Sequence, residues 1–165
     1  MFAFRCTARL LNYLQLKPAE PSSAPTTALG DWYGNLLFTK AARLVQFTSH
    51  RTLLTVIMHA KNRDTLFSRF PQALEELLLA LGQPRPLIQL ELAQMSNPII
   101  AKTASRSVLG SMRDLALQVR WRLETREFSS PIDLALELSE VPCGPLGYMF
   151  PREAASTALA QRYEA

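Results

Sequence analysis

Histidine, cysteine, lysine and glycine are all scarce in this chain, and each scarcity closes off a class of chemistry. The two histidines, His50 and His59, stand nine residues apart, outside any H-x-x-x-H or H-E-x-x-H arrangement and away from clustered carboxylates. No metal site is expected from them. Cys6 and Cys143 belong to no C-x-x-C pair and read as small buried apolar residues of a reducing compartment. The six glycines form neither a phosphate-binding loop nor a dinucleotide fingerprint, and no G-x-S-x-G is present, so no cofactor is expected. No stretch reaches about 18 uninterrupted apolar residues. Arg5 falls too early for the apolar core of a signal peptide. A soluble, cytoplasmic chain without membrane attachment is the expectation.

What is present is an ordinary globular composition. Apolar residues make up 48% and charged residues 19% of 165, enough for a real core and too apolar for disorder. The whole chain, 1–165, therefore reads as one domain. Its net charge of +4 comes from 14 Arg and 4 Lys against 14 acidic residues. Spread along the chain, that excess is a weak argument for nucleic acid, where clustering matters more than the total.

Periodicity gives the elements. Phe2, Phe4 and Cys6 alternate with Ala3 and Arg5, predicting a strand over 2–6, and Thr7 is placed to cap a helix bearing Leu10, Leu11 and Leu14. Residues 17–28, with three prolines among serines and threonines, read as a solvated internal connector. Segment 32–49 reads as a β-hairpin, and 53–60 and 98–103 as two further strands. Pro71 and Gly82 bracket a helix carrying Leu74, Leu77, Leu78 and Leu81, with 62–70 left as a turn or irregular segment. Shorter helices are predicted from Pro86, Pro131 and Pro151. The sum is an α+β fold: a small antiparallel sheet covered by about five helices.

The strongest pattern is the helix predicted from Ser107 to about Leu123. At about 100° per residue, Val108, Leu109, Met112, Leu115, Ala116, Val119 and Leu123 share a single arc of roughly 120°. The opposite side carries Gly110, Asp114, Leu117 and Trp121. A Leu and a Trp there imply a second cover, either the C-terminal extension 129–165 or a partner, with the extension favoured.

Two stretches can carry a function. Thr103, Ser105 and Ser107 are candidate caps of that helix, whose free amides attract anions. Lys102, Thr103, Arg106 and Ser107 then form a candidate anion or phosphate site, with Gly110 allowing close backbone approach and Asp114 a turn further on. A capped helix with Gly110 needed for tight packing is the purely structural alternative. The second stretch is the turn Gly30–Asn35, where Asp31 and Asn35 suit turn bonding and the aromatics Trp32 and Tyr33 could stack a base or sugar; a hairpin edge packed on the core is its structural alternative.

The stretches Arg5-Cys6-Thr7 with Leu10-Leu11, Leu29 to Leu37, Arg51 to Leu54 and Ala101 to Asp114 are similar to the motifs of an uncharacterised bacterial family catalogued as a domain of unknown function. The resemblance spans roughly residues 1 to 125 and implies no established activity. Leu146 to Glu153 resembles a short tail motif of some transposase cores, whose acidic catalytic pattern is not found here. Two functional classes follow. A non-catalytic binding or regulatory module, recognising a ligand or protein partner through the 103–114 helix start and the 30–35 turn, leads. A small enzyme acting on a phosphorylated or nucleotide-like ligand requires Asp31, Asn35, Arg106 and Ser107 to converge in one pocket, and a weak nucleic-acid binder is the third reading.

Overall fold

The computed structural model describes residues 1–126 and 130–165. It is an α+β arrangement of five strands and, among the described residues, six α-helices: β1 (Ala3–Cys6), α1 (Ala8–Leu14), β2 (Trp32–Phe38), β3 (Arg43–Ser49), β4 (Thr55–His59), α2 (Leu66–Ala80), α3 (Arg85–Ala93), β5 (Ile99–Lys102), α4 (Arg106–Thr125), α5 (Pro131–Leu138) and α6 (Pro151–Tyr163). The sheet order is β4-β3-β2-β1-β5. The predicted hairpin is there, with Trp32 opposite Ser49 and Phe38 opposite Arg43, and β4 extends it antiparallel. The other half is parallel, because β1 pairs with both β2 and β5 in the same direction. The sheet is thus mixed rather than antiparallel. Between Cys6 and Trp32 the chain runs through α1 and the connector and re-enters from the same end, as a parallel neighbour requires.

Strand parity sends Phe4, Trp32 and Phe47 to one face, where Phe70 of α2 meets all three at ring-centroid distances of 5.0, 5.0 and 5.2 Å. This cluster explains why α2 begins five residues before Pro71, against the expectation of a helix starting at that proline. Residues preceding a proline avoid the helical region, yet Phe70 and Leu66 are wholly buried, and their packing outweighs the local preference. Gly34 lies on the same face. A Cβ there would stand 2.8 Å from Leu10 and 2.9 Å from Phe47, so no larger residue fits without a shift.

The connector 17–28 is less solvated than its composition suggests. Thr27 and Ala28 are buried, and the carboxylate of the fully buried Glu91 in α3 accepts from the amides of Ala28 and Leu29 and from the Tyr163 hydroxyl of α6. One buried side chain thereby joins three distant segments.

Helix α4 lies on the opposite sheet face. Ser105 caps it, its hydroxyl accepting from the Val108 amide at 3.2 Å. The expected apolar arc faces inward: Val108, Met112, Leu115, Ala116 and Val119 are buried. Gln46, buried on β3, donates to the Met112 carbonyl at 3.1 Å and fixes the helix to the sheet. No helix among the described residues is long and apolar enough to cross a membrane.

Candidate functional site

The geometry of the α4 start follows from β1. Its alternation gives Phe4 to the core and turns Arg5 to the α4 side, where the guanidinium pairs with Asp31 at 2.9 Å and also donates to the Lys102 carbonyl. The other Asp31 oxygen accepts from the Ala3 amide at 2.8 Å. Asp31 therefore couples the entry of β2 to β1 and, through Arg5, to β5. A carboxylate this buried and this engaged is first a structural group.

Around that pair lies a cavity of about 520 Å³, lined by Arg5, Pro25, Gly30, Asp31, Tyr33, His50, Arg51, Ala104 and Ser105. Tyr33 connects its floor to the helix, because its hydroxyl accepts from the Ser105 amide at 3.1 Å. His50 packs edge-on against the Tyr33 ring, with centroids 5.7 Å apart. Arg51 lies along Gly30 and donates to the carbonyls of Thr27 and Ala28. The tight turn between β3 and β4 holds Arg51 in place: Ser49 accepts from the Thr52 amide, and Leu53 sits in the left-handed region at φ 57°. Just beyond Ser105 the first amides of α4 have no carbonyl partner within the helix, and Lys102 and Arg106 are exposed beside them.

The residues singled out in the sequence divide among several places. Asp31 is in the cavity wall. Lys102, Thr103, Arg106 and Ser107 surround the helix start, with Ser105 and not Ser107 as the cap. Trp32 is fully buried and offers no face to a ligand, since β2 parity turns it into the aromatic core. Asn35 accepts from the Thr7 hydroxyl and lines a separate cavity with Arg113 and Leu117. Asp114 is exposed on the far flank of α4, where its charge, after burial, helps push the Cys143 thiol up. Gly110 is also exposed, with nothing within 4 Å of where a Cβ would stand, so no packing contact requires it. The convergence of Asp31, Asn35, Arg106 and Ser107 needed for an acid–base site does not occur.

Leu117 and Trp121 are 57% and 59% exposed, so the described part of the C-terminal segment leaves them open. That segment meets α4 elsewhere. Cys143 and Leu146 pack against Val108 and Met112, while Glu137 of α5 pairs with Arg122 at 2.7 Å and with Arg126. Its chosen flank is the one set by β4, which α5 lies along.

Arg5, His50 and Arg51 are site residues that the sequence reading misses, whereas Tyr33, expected as a stacking aromatic, is fully buried and meets the helix start through its hydroxyl. For Arg5 a signal existed, since alternation with Phe4 places it on the side of Asp31. For His50 and Arg51, a turn linking two buried strands gave none. Among the described residues no group of three or more His, Cys, Asp or Glu side chains comes together as a metal site.

Residues 3–154 match the family model described as "Domain of unknown function (DUF6933)", and the chain belongs to that family. No curated protein and no solved structure matches it.

Proposed function

We propose that the chain is a non-catalytic binding module that takes an anionic group, a phosphate or carboxylate of a small ligand or partner, at the start of α4. The observation that carries the reading is the cleft of about 520 Å³ whose wall holds Arg5 and Arg51 and whose lip is the Ser105 cap. Both wall arginines are fixed by main-chain carbonyls, and Arg5 also by Asp31. Pre-ordered cations lose little freedom on binding. Lys102, Arg106 and the first amides of α4 supply the remaining positive field. Four separate sequence stretches, around Arg5, Asp31, Arg51 and Ser105, meet at this one place. A cytoplasmic location is part of the proposal and fits the two free, buried thiols.

Thermal shift with inorganic phosphate, nucleoside phosphates and dicarboxylates tests it, wild type against Arg106→Ala. A ligand at about 100 times its dissociation constant adds about 2.7 kcal/mol of stability. The variant is expected to keep the unliganded melting temperature and lose most of the shift. Equal shifts in both proteins, or none in the wild type, overturn the reading.

A further inference from the structure

The cleft at the α4 start has a neighbour. Across the Arg51 side chain lies a second cavity, of about 470 Å³, between residues 51–52, residues 146–149 and α6. Arg51 lines both cavities. Its Nη1 donates to the Thr27 and Ala28 carbonyls, which leaves the Nε–Nη2 edge without a partner among the described residues. Arg5 has no such edge to give, because its Nε is held by Asp31 and its Nη1 by the Lys102 carbonyl. The one complete guanidinium fork of the cleft wall is therefore that of Arg51, and two parallel N–H donors fit a carboxylate. Gly30 keeps the fork clear, since a Cβ there would stand 3.4 Å from Nε. Asp31 is the one carboxylate lining either cavity among the described residues, and it already compensates Arg5. Arg51 is thus the wall cation left without a counter-charge.

The second cavity bears on what the carboxylate is attached to. Leu146, Met149, Ala154 and Ala158 give it an aliphatic floor, and no aromatic ring lines it. A nucleobase has nothing to stack on there, whereas aliphatic groups gain by burial and Met149 adapts to their shape. Thr157, Gln161 and Arg162 form a rim of exposed side chains that have no hydrogen-bond partner among the described residues. Thr157 and Gln161 stand about 6 Å apart along α6, close to the span of two residues of extended chain. Such a rim can meet successive peptide groups, which a plain hydrocarbon chain lacks. Building on the anion site proposed at the α4 start, we infer that its ligand is the free C-terminus of a peptide with aliphatic last residues. The terminal carboxylate takes the Arg51 fork beside the Ser105 lip, an aliphatic side chain enters the second cavity, and the peptide groups meet the α6 rim.

Calorimetric titration of the full chain tests this with four probes: inorganic phosphate, octanoate, an N-acetylated tetrapeptide ending in two leucines, and the same peptide as its C-terminal amide. The free-acid peptide is expected to bind about tenfold or more tighter than phosphate or octanoate, from the buried aliphatic groups and the added peptide bonds. The amide should bind about tenfold or more weaker than the acid, through loss of the charge-assisted pair. Arg51→Lys keeps the charge without the fork and should weaken the acid by about tenfold while hardly changing the amide. Thr157→Phe, at an exposed position, narrows the second cavity and should weaken the acid as well. Unchanged melting temperatures without ligand establish that both variants fold. Phosphate binding that depends on Arg106, together with a peptide no tighter than phosphate, overturns this inference and keeps the anion site. Equal affinity of acid and amide, tighter binding of octanoate, or indifference to Arg51→Lys and Thr157→Phe overturns it too. No binding of any of the four probes overturns the anion site itself, and the inference with it.

Discussion

At the scale of single residues, two glycines of opposite character give the sharpest contrast. Gly34 is walled by Leu10 and Phe47 at under 3 Å from a would-be Cβ. Gly34→Ala is expected to destabilise by about 1–3 kcal/mol through overpacking. Gly110 has open space in mid-helix, so Gly110→Ala should stabilise by about 0.5–1 kcal/mol by removing backbone freedom from the unfolded chain. Denaturant melts of the two variants check both signs, and a destabilised Gly110→Ala would show that the exposed glycine is structurally required.

Cys6 supplies a pH-dependent test at the same scale. Burial pushes its thiol up from 9.0 to about 12. The folded state thus holds the proton more tightly than the unfolded one. Its contribution is complete below pH 9, shrinks as the unfolded thiol ionises, and is gone by about pH 12. At pH 10.5, one and a half units above the unfolded value, the loss is about 2 kcal/mol. Melts of wild type and Cys6→Ala between pH 8 and 10.5 should converge by that amount, because other titrating groups cancel in the difference. Parallel curves would mean that the thiolate is tolerated in the fold.

At the scale of elements, α4 is where local chemistry and tertiary packing agree. Ser105→Ala removes the cap and is expected to cost about 1 kcal/mol, seen as a lower denaturation midpoint with an unchanged slope. The same agreement explains why so much of the fold was legible in the sequence. The α4 arc, the 32–49 hairpin and the strands near 2–6 and 98–103 are local periodicities, and local period decides them. The start of α2 was not legible, because Phe70 is held helical before Pro71 by Phe4, Trp32 and Phe47, residues distant in sequence. Nor was the parallel half of the sheet, since pairing direction depends on where a long connection re-enters. At the candidate site, Lys102 to Ser107 could be read as a helix start. Trp32 could not be placed, because an aromatic in a strand is a core residue or a platform according to a parity fixed only by the sheet.

At the scale of the whole molecule, the buried carboxylate of Glu91 joins what the sequence separates. It accepts from Ala28 at 2.7 Å, Leu29 at 3.0 Å and Tyr163 at 2.6 Å, so α3, the end of the connector and α6 close on one oxygen pair. Those connector residues also frame the cleft, since the Thr27 and Ala28 carbonyls hold the Arg51 guanidinium. Removing the carboxylate therefore has two separable consequences. Glu91→Ala strands two buried amides and a hydroxyl and is expected to destabilise by about 3 kcal/mol or more, from lost charge-assisted bonds and unsatisfied donors. Tyr163→Phe removes one bond and leaves the amides satisfied, so about 1.5–3 kcal/mol is expected. The distinguishing measurement is hydrogen exchange at Ala28 and Leu29. Both amides should lose protection in Glu91→Ala far beyond the global loss of stability, and keep it in Tyr163→Phe. Local opening of the connector releases Arg51 from its carbonyls, so any anion bound at the α4 start should bind more weakly to Glu91→Ala than to Tyr163→Phe even where both proteins are fully folded. Equal affinity would separate the cleft from the connector and leave Arg5, Lys102 and the α4 start as the sources of its positive field.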